Sequence, residues 1–568
     1  MTLSEYFARY IYSQGVDCLF EMIGGMSVRL IDAVYLLNKT KIISVHHEQS
    51  AAFAACGWAQ SKNIPGVAIA TSGPGAANFV TGIATCYFDS IPAVFITGQV
   101  NQNELSHGTK LRQLGFQEMD VVSIVKSITK HTIQLQNAQD ITSVLPEAFR
   151  IAKEGRHGPV LIDIPMNLQK EEIQVSDEDF MLNEAPVITV NKIDSVGFCS
   201  QINEALQKSK SPLFLLGGGV IQSQTKTLVQ KLVEKTKVPA VYSLQGKGVL
   251  PNDSKYSVGL IGSYGNRWAN KALADSDLLI VLGSRLDIRQ TGADTKRFIS
   301  GKKIFQIDID NVELNNRIKN TFSLTADLAS VIPVLLANID VFDQSEWQQT
   351  IEANKIKWPD TTELDNISGI NPNEILKKLG ISSMKNISGF VTDVGANQMW
   401  SAQSLHLNQG QFFMTSGSMG SMGYALPTAI GASIALNNAN VVVIVGDGGF
   451  QCNIQELELI KRLNLPIKII VLNNHSLGMV KQFQWEYFDC RYPGTVTTYG
   501  APNFIEIGNA YGIPSKHIFE TAQIEEALDW LISTEGPLLL DIEIDINAGV
   551  LPKMQFGHGL DDMMPPKL

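Results

Sequence analysis

The sequence predicts an α/β protein made of three Rossmann-like domains, each with a doubly wound parallel sheet. Three observations predict this class. The chain has 568 residues, which is more than one hydrophobic core accommodates. Hydrophobic residues make up 44% of it and charged residues 18%, as is typical of a globular protein. Short apolar strands alternate with longer helical patterns along the whole chain, as they do in parallel α/β sheets.

The predicted strands form three groups, separated by two polar stretches that we interpret as linkers. The strands lie at residues 66–71 and 93–97, then 213–216, 278–282 and 304–309, then 441–445 and 467–472. The linkers lie at residues 175–184 and roughly 341–370. We therefore place three domains at residues 1–172, 188–340 and 370–550, followed by a C-terminal tail at 551–568.

Charge and cysteine usage exclude several classes of protein. A net charge of −11 argues against nucleic acid as the main partner. The six cysteines are scattered and form no CxxC pair, so neither a zinc site nor a disulfide scaffold is indicated. The first residues do not resemble a signal peptide, and no apolar run reaches the ~18–20 residues of a membrane-spanning helix. We expect a cytoplasmic protein with no membrane partner.

One acidic glycine turn is the most informative segment. A buried strand is predicted to end at Gly446-Asp447-Gly448, and the next strand along the chain ends at Asn473-Asn474. Carboxylate and amide oxygens suit Mg²⁺, and glycine lets backbone N–H groups approach a diphosphate at a helix N-terminus. Alone, the turn is equally consistent with a simple strand end. The 24 residues from 449 to 472 that separate the two motifs resemble the signature of thiamine diphosphate (ThDP) enzymes.

Further motifs extend this resemblance over nearly the whole chain. They include His47-Glu48-Gln49, Thr-Ser-Gly-Pro-Gly-Ala-Ala-Asn at 71–78 and Ser-Gly-Ser-Met-Gly-Ser-Met-Gly at 416–423. The chain resembles the catalytic subunit of acetohydroxyacid (acetolactate) synthase and its ThDP-dependent relatives. The resemblance implies an enzyme that decarboxylates pyruvate and transfers the two-carbon acetyl unit to a keto acceptor. Some segments are similar to a subgroup from surface-polysaccharide sugar pathways.

Glu48 is the candidate catalytic residue. By itself, a glutamate between a strand and a helix of small residues is more often a carboxylate stabilised by the helix dipole. The resemblance instead implies that Glu48 hydrogen-bonds the aminopyrimidine ring of ThDP and promotes ionisation of the cofactor. In the family this glutamate and the diphosphate loop come from different subunits, so a homodimer or homotetramer is implied.

The resemblance also assigns residues that bind ThDP and its metal ion. The metal ligands are predicted to be the side chains of Asp447 and Asn474 and the backbone carbonyl of Ser476, which stands where relatives have histidine. The predicted ThDP-binding residues are Gly24, Gly25, Gly395, Ala396, Asn397, Gly420, Met422, Gly448, Gly449, Gly478 and Met479. Met422 resembles the bulky residue that supports the bent cofactor, although a core methionine is a strong alternative.

The middle third resembles the FAD-binding region of the same family. The predicted FAD-binding residues are Arg156, Gly217, Gly218, Gly219, Arg285, Arg289, Asp308 and Asp327. Forked arginine donors suit a diphosphate. The alternatives are that the three glycines form only a tight turn and that Arg289 makes only a surface ion pair, worth ~0–1 kcal/mol.

The acceptor is left open by the sequence. Phe116, Gln117, Arg289 and Phe483 are predicted to line the substrate site. Phe483 replaces a tryptophan and Met166 a lysine of the synthases, which removes an aromatic wall and a cation. The alternative acceptor is a keto-sugar nucleotide, and a flavin-dependent pyruvate oxidase, a simple decarboxylase and a non-catalytic homologue are further alternatives. Whether a regulatory subunit binds is also open.

Overall fold

The computed structural model describes residues 1–181, 192–364, 366–383, 386–555 and 557–566. Three six-stranded parallel sheets with helices around them confirm the predicted α/β class. The end of the first predicted linker and the start of the second predicted domain, at residues 182–191, lie outside the described residues.

The first domain contains a sheet that is buried between helices on both faces. Its strands are β1 (Cys18–Met22), β2 (Lys41–Ser44), β3 (Gly66–Ala70), β4 (Ala93–Gln99), β5 (His131–Gln134) and β6 (Pro159–Pro165). Its helices are α1 (Leu3–Ser13), α2 (Val28–Leu37), α3 (Glu48–Lys62), α4 (Pro74–Asn78), α5 (Val80–Phe88), α6 (Val121–Val125) and α7 (Ile141–Lys153). The strand order is β2-β1-β3-β4-β6-β5.

The middle domain has a different strand order. Its strands are β7 (Pro212–Leu216), β8 (Ala240–Tyr242), β9 (Ser257–Leu260), β10 (Leu278–Leu282), β11 (Lys303–Asp308) and β12 (Phe322–Thr325). Its helices are α8 (Lys192–Lys208), α9 (Gly219–Gln222), α10 (Lys226–Thr236), α11 (Arg267–Asp275), α12 (Ile288–Thr291), α13 (Thr295–Ile299) and α14 (Leu328–Asn338). The order β9-β8-β7-β10-β11-β12 is the 3-2-1-4-5-6 order of dinucleotide-binding Rossmann sheets.

A helix leads from the middle domain to the third domain. Helix α15 (Ser345–Lys357) occupies much of the stretch predicted as the second linker. Trp347 and Ile351 of this helix are buried in an apolar core of the middle domain. The polar composition of the segment therefore reflects the solvent-facing side of a helix rather than an irregular linker.

The third domain repeats the strand order of the first. Its strands are β13 (Gly389–Thr392), β14 (Phe412–Thr415), β15 (Val441–Gly446), β16 (Ile467–Asn473), β17 (Ser515–Ile518) and β18 (Leu538–Glu543). Its helices are α16 (Pro372–Ser382), α17 (Ala396–Ser404), α18 (Ala425–Ala435), α19 (Asp447–Cys452), α20 (Leu457–Arg462), α21 (Gly478–Tyr487), α22 (Phe504–Ala510) and α23 (Ile524–Ser533). The order β14-β13-β15-β16-β18-β17 corresponds to that of the first sheet.

Helices α3 and α18 pack the first domain against the third. A Cβ atom placed on Gly57 would lie 2.0 Å from the backbone oxygen of Thr428, and one on Gly431 would lie 1.9 Å from that of Ala54. Only glycine permits so close an approach of the two helix backbones. The start of α3, with Glu48, is thereby fixed relative to the third domain.

The C-terminal tail returns to the middle domain. Strands β19 (Lys553–Met554) and β20 (Met563–Met564) pair with each other in antiparallel fashion. The Arg267 guanidinium donates to the carbonyls of Met563 and Pro565 and forms a buried ion pair with Glu363. Within the described part of the chain, no helix has the length and apolar character to cross a membrane.

Candidate functional site

Asp447 lies at the carboxyl edge of the third sheet. The apolar strand β15 is buried and ends at Gly446, and Asp447 is the first residue of α19. The aspartate is only 1% exposed, and its Oδ2 accepts a hydrogen bond from the Tyr499 hydroxyl at 2.8 Å. Burial raises the pKa of Asp447 to about 6, which the Tyr499 hydrogen bond opposes. A divalent cation would compensate this buried carboxylate.

Asn474 and Ser476 follow the neighbouring strand, β16, and are also buried. The Ser476 N–H donates to Asn474 Oδ1 at 3.3 Å, while Ser476 Oγ is buried without a hydrogen-bond partner. Among the described residues, no group of three or more His, Cys, Asp or Glu side chains could hold a metal ion. A ligand set of one carboxylate, one amide and one carbonyl is consistent with that finding.

Three glycines allow the backbone to approach the two amide side chains closely. A Cβ atom on Gly478 would lie 2.6 Å from Asn474 Nδ2, and one on Gly395 or Gly446 would lie 3.3 Å from Asn397 Nδ2. Gly395, with a φ of +140°, precedes α17. The buried Asn397 Oδ1 has no hydrogen-bond partner. An orphaned polar atom beside two helix N-termini, those of α17 and α21, fits a bound diphosphate with its cation.

The loop at residues 416–423 reaches the same place. Met422 Cε would lie 3.5 Å from a Cβ atom on Gly448, which would also approach Leu477 Cδ2 to 2.4 Å. Met422 is 39% exposed, unlike a core methionine. Gly449 lies against Asp393, and Gly420 has a φ of +71°. The structure thus brings together Gly395, Asn397, Met422, Asp447, Gly448, Asn474, Ser476 and Gly478, and Ala396 lies beside Gly478.

Met479 has a different environment from the other residues of this set. Its side chain packs against the apolar core of the third domain, together with residues of the sheet. The structure therefore gives the Met479 side chain a packing contact as well as a position in the first turn of α21.

Glu48 is the first residue of α3 in the first domain, after the His47 N-cap. It is 8% exposed, and its Oε2 accepts a hydrogen bond from Asn78 Nδ2 at 2.8 Å. A Cβ atom on Gly75 would lie 3.1 Å from Glu48 Oε1, so the glycine keeps this oxygen accessible. This position places the Glu48 carboxylate at the positive end of the helix dipole.

The other site residues predicted in the first domain surround the same sheet edge. A Cβ atom on Gly24 would meet Thr71 at 2.5 Å, whereas nothing lies within 4 Å of one on Gly25. Gln117 adopts a φ of +66° and lies against Gly73. Phe116 is 79% exposed. In the third domain, Phe483 is 51% exposed on α21 and packs against Tyr487 and Phe488.

A cleft opens where the strand order of the middle sheet reverses, between β7 and β10. Parallel α/β sheets bind nucleotides at this switch point. Seven of the eight predicted FAD residues line the cleft, and these are Arg156, Gly218, Gly219, Arg285, Arg289, Asp308 and Asp327. The eighth, Gly217, packs on the Gly283 backbone, where a Cβ atom would approach to 2.0 Å.

The charged residues of the cleft are partly engaged with each other. Arg156 binds Asp310 at 3.2 Å and Glu313 at 2.8 Å. Burial raises the pKa of Asp308 to about 6, and the nearby Arg156 opposes that shift. Arg289 Nη2 lies 3.8 Å from Met399 Sδ. Arg289 therefore lies in the wall of the cleft.

Several residues that contact the predicted ones are not predicted by the sequence. Tyr499 binds Asp447, and Asn78 binds Glu48 although it belongs to a motif that we had identified. Asp393 accepts hydrogen bonds from the N–H groups of Gly423 and Ala425. Asn78 belongs to the motif at residues 71–78 and could have been predicted from it, whereas no motif identifies Tyr499 or Asp393.

Family profiles match the three domains in order. The profile described as thiamine pyrophosphate enzyme, N-terminal TPP binding domain, matches residues 1–124. The central-domain profile matches residues 199–335, and the C-terminal TPP binding domain profile matches residues 393–542. Together these matches cover most of the chain and agree with the three sheets.

Individual relatives match over nearly the full length. The acetolactate synthase isozyme 2 large subunit of Escherichia coli is 36% identical over 570 residues, covering 99% of each chain. The acetolactate synthase large subunit of Cyanidium caldarium is 35% identical over 97% of this chain and 94% of its own. The probable acetolactate synthase large subunit of Methanocaldococcus jannaschii is 35% identical over 99% of this chain and 95% of its own. The chain thus belongs to the thiamine-diphosphate-dependent enzymes of the acetolactate synthase large-subunit family, which confirms the resemblance of its motifs.

Proposed function

We propose that this enzyme decarboxylates pyruvate and joins the remaining two-carbon unit to a second pyruvate, giving 2-acetolactate. The observation that carries the proposal is the pairing of two elements in one chain. One is a buried glutamate at the start of α3, and the other is the glycine-lined group of Asp447, Asn474 and Ser476. Relatives named acetolactate synthase match both regions.

Glu48 is the catalytic acid–base group of the proposal. Bound ThDP would supply a carbon nucleophile and an electron sink for the loss of CO₂. Glu48 would hold a proton at the pyrimidine ring of the cofactor, while Asn78 fixes one carboxylate oxygen by a 2.8 Å hydrogen bond and leaves the other accessible. The protein needs no second general base, because the proton held by Glu48 would make a nitrogen of the cofactor itself basic.

We assign Mg²⁺ to the third-domain group. Asp447, Asn474 and the Ser476 carbonyl would be its protein ligands, and the ion would neutralise the negative charge of the cofactor's diphosphate. The Tyr499 hydroxyl orients Asp447 through a 2.8 Å hydrogen bond. Such partners of ligating carboxylates are an important determinant of metal affinity.

We assign a flavin dinucleotide, FAD, to the middle-domain cleft. The supporting features are the Rossmann strand order, the glycine turn after β7 and the arginines along the walls. Arg285 and Arg289 have guanidinium groups suited to a diphosphate. The flavin has a structural role in this proposal because acetolactate formation involves no net oxidation.

Two copies of the chain form the complete active site. In the third domain of the same chain, the start of α3 contacts Asn453 and Glu456, which follow α19 at the end opposite to Asp447. Phe116, Met422 and Phe483 are predicted site residues that one chain leaves exposed. A second copy that places its Glu48 opposite Asp447 would cover them.

Product analysis tests the proposed reaction. The purified enzyme is incubated with ThDP, Mg²⁺, FAD and ¹³C-labelled pyruvate, with and without a keto-sugar nucleotide, and the products are identified by mass spectrometry. We expect one labelled 2-acetolactate and one CO₂ for every two molecules of pyruvate consumed, with no O₂ uptake. Acetaldehyde as the sole organic product, pyruvate-dependent O₂ uptake with flavin reduction, or transfer only to an added keto-sugar nucleotide would each contradict the proposal.

A further inference from the structure

We propose that Asp89 and the loop at residues 416–423 couple the middle-domain cleft to the ThDP site, so that a dinucleotide in the cleft strengthens ThDP binding. The inference rests on the proposed function for the identity of the dinucleotide. Asp89 acts in it as a positioning residue, since it contacts the loop and not the reacting atoms.

The loop belongs to both sites. Gly417 and Ser418 line the cleft. A few residues later, Gly420 and Met422 reach the third-domain group, where Met422 lies beside Gly448. A ligand that fixes one end of so short a segment restricts the other end as well.

Asp89 holds the cleft end of the loop. It follows α5 in the first domain, is 7% exposed and lines the cleft. Its Oδ1 accepts the Ser418 N–H at 2.7 Å, and its Oδ2 accepts the Ser416 hydroxyl at 3.0 Å. Gln245 of the middle domain donates to the same carboxylate at 3.3 Å. One buried side chain therefore contacts all three domains.

Ser416 continues these contacts toward Met422. Its Oγ accepts hydrogen bonds from the N–H groups of Gly420 at 3.1 Å and Ser421 at 3.2 Å. At the far end of the loop, Asp393 accepts the Gly423 N–H at 3.0 Å. Two buried carboxylates thus hold the segment, and Met422 lies between their anchor points.

The cleft acts on this arrangement through Arg285. Its Nη2 donates to Ser418 Oγ at 3.2 Å and to Asp287 Oδ2 at 3.4 Å. A diphosphate in the cleft binds the same guanidinium and thereby orders Ser418. When one ligand has ordered a shared segment, a second ligand that needs the ordered form binds at a lower entropic cost. By linkage the effect is reciprocal.

The test measures this coupling directly. The full-length chain is stripped of cofactors, and the dissociation constant of ThDP with Mg²⁺ is measured by calorimetry with and without saturating FAD. We expect FAD to tighten ThDP binding about 10-fold in the wild-type protein. Asp89→Asn turns an acceptor into an amide donor facing Ser416 or Ser418, and Ser416→Ala removes the relay. Each should reduce the ratio to less than about 2-fold.

Asp163→Asn is the matched control. Asp163 is a buried aspartate of the same domain, bound to Thr97 and Gln99 and remote from the loop's hydrogen bonds. The control should lose stability yet keep the wild-type ratio. Because the readout is a ratio of two affinities, a general loss of stability does not imitate the effect, and Ser416→Ala provides the test if Asp89→Asn does not fold.

The outcomes separate this inference from the proposed function. Wild-type protein that binds ThDP and FAD without mutual effect, or variants that retain the full ratio, would overturn the coupling alone. Wild-type protein that binds ThDP but no flavin dinucleotide would overturn the assignment of the cleft and the coupling with it. A reduced ratio in both variants, with the control unchanged, supports the coupling.

Discussion

The first and third domains have the same strand order but place their acidic residues differently. In the third domain Asp447 directly follows the third strand of the sheet, β15. In the first domain the corresponding strand, β3, leads to Thr71 and Ser72, and the acid Glu48 comes from the start of α3, after β2. Under the proposed function, one architecture therefore supplies a metal ligand in one copy and a proton-holding group in the other. The fold fixes where the sheet edge lies, and the loop residues decide its chemistry.

Glu48 and Asp447 also differ in how accessible their carboxylates are. Glu48 has an amide partner, Asn78, and an accessible second oxygen. Asp447 is more deeply buried, with a hydroxyl partner, Tyr499, and its pKa is raised to about 6 by that burial. A group that exchanges a proton with a ligand needs access, whereas a metal ligand needs a rigid position and a counter-charge.

Glu48→Gln is expected to have the largest effect on turnover. The amide keeps the shape of the side chain and its contact with Asn78, but it cannot hold and release a proton. We expect kcat for pyruvate to fall by roughly 10²–10⁴-fold, with ThDP affinity nearly unchanged. Steady-state kinetics and calorimetry measure the two quantities. Glu147→Gln, which alters an exposed carboxylate paired with Arg150 on α7, is the control. Wild-type turnover in the Glu48 variant would remove the proposed role.

Asp447→Asn is expected to act on cofactor affinity instead. Loss of an outer-shell partner of a metal ligand costs 10–100-fold in affinity, so loss of the ligand's charge should weaken Mg²⁺-dependent ThDP binding about 100-fold. Tyr499→Phe removes only the hydrogen bond to Asp447 and should cost about 10-fold. ThDP titrations at fixed Mg²⁺ check both values. Equal effects of the two substitutions, or none, would contradict a metal at Asp447.

Gly57→Ala is expected to weaken the packing between the first and third domains. The added methyl group would lie 2.0 Å from the Thr428 oxygen, so α3 and α18 must move apart. We expect a loss of about 1–3 kcal/mol in unfolding free energy, measured by urea denaturation. Gly197→Ala is the control, because its Cβ meets nothing within 4 Å in helix α8. The control should be stabilised by roughly 0.5–1 kcal/mol. A Gly57 variant as stable as the control would show that the helices tolerate separation.

The sequence predicted those features that local patterns encode. Buried strands ending in glycine turns are short contiguous signals, and the strands around Gly446 and Asn473 were placed within a residue or two of their observed ends. The acidic residue and the amides follow directly from those ends. The predicted site residues of the third domain therefore lie together because their spacing along the chain is fixed by one βα unit.

Other features depend on contacts between distant segments and left no such signal. Tyr499 binds Asp447 from an irregular segment beyond α21, and its position depends on how that segment folds back. Asp89 follows a helix with no distinctive local motif, and its partners Ser416 and Gln245 come from other domains. Gly57 is one small residue among many in α3. Motif spacing reports local geometry, while domain docking is decided by tertiary packing.

Lys247→Met is expected to change the pH dependence of stability and not turnover or cofactor affinity. Lys247 is buried where the middle domain meets the third domain. Its Nζ donates to the carbonyl of Leu405 at 2.9 Å and to that of Ala402 at 3.2 Å, near the end of α17. The first domain instead contacts the middle domain through the carboxylate of Asp89. Burial lowers the pKa of Lys247 from 10.5 to about 7, and the charge of Asp360 opposes that shift.

The sign of the pH effect follows from proton binding. Between pH 7 and 10.5 the unfolded chain holds a proton on Lys247 that the folded protein has lost, so this residue makes stability rise with pH. The destabilisation caused by burying the charged Lys247 is complete below pH 7 and decreases as the pH rises. We expect the unfolding free energy of the wild type, minus that of Lys247→Met, to increase between pH 7 and 9 in urea titrations. Lys231→Met, on the exposed face of α10, should give a constant difference. A constant difference for Lys247 as well would mean that its ammonium stays charged across the domain contact, held there by the carbonyls of α17.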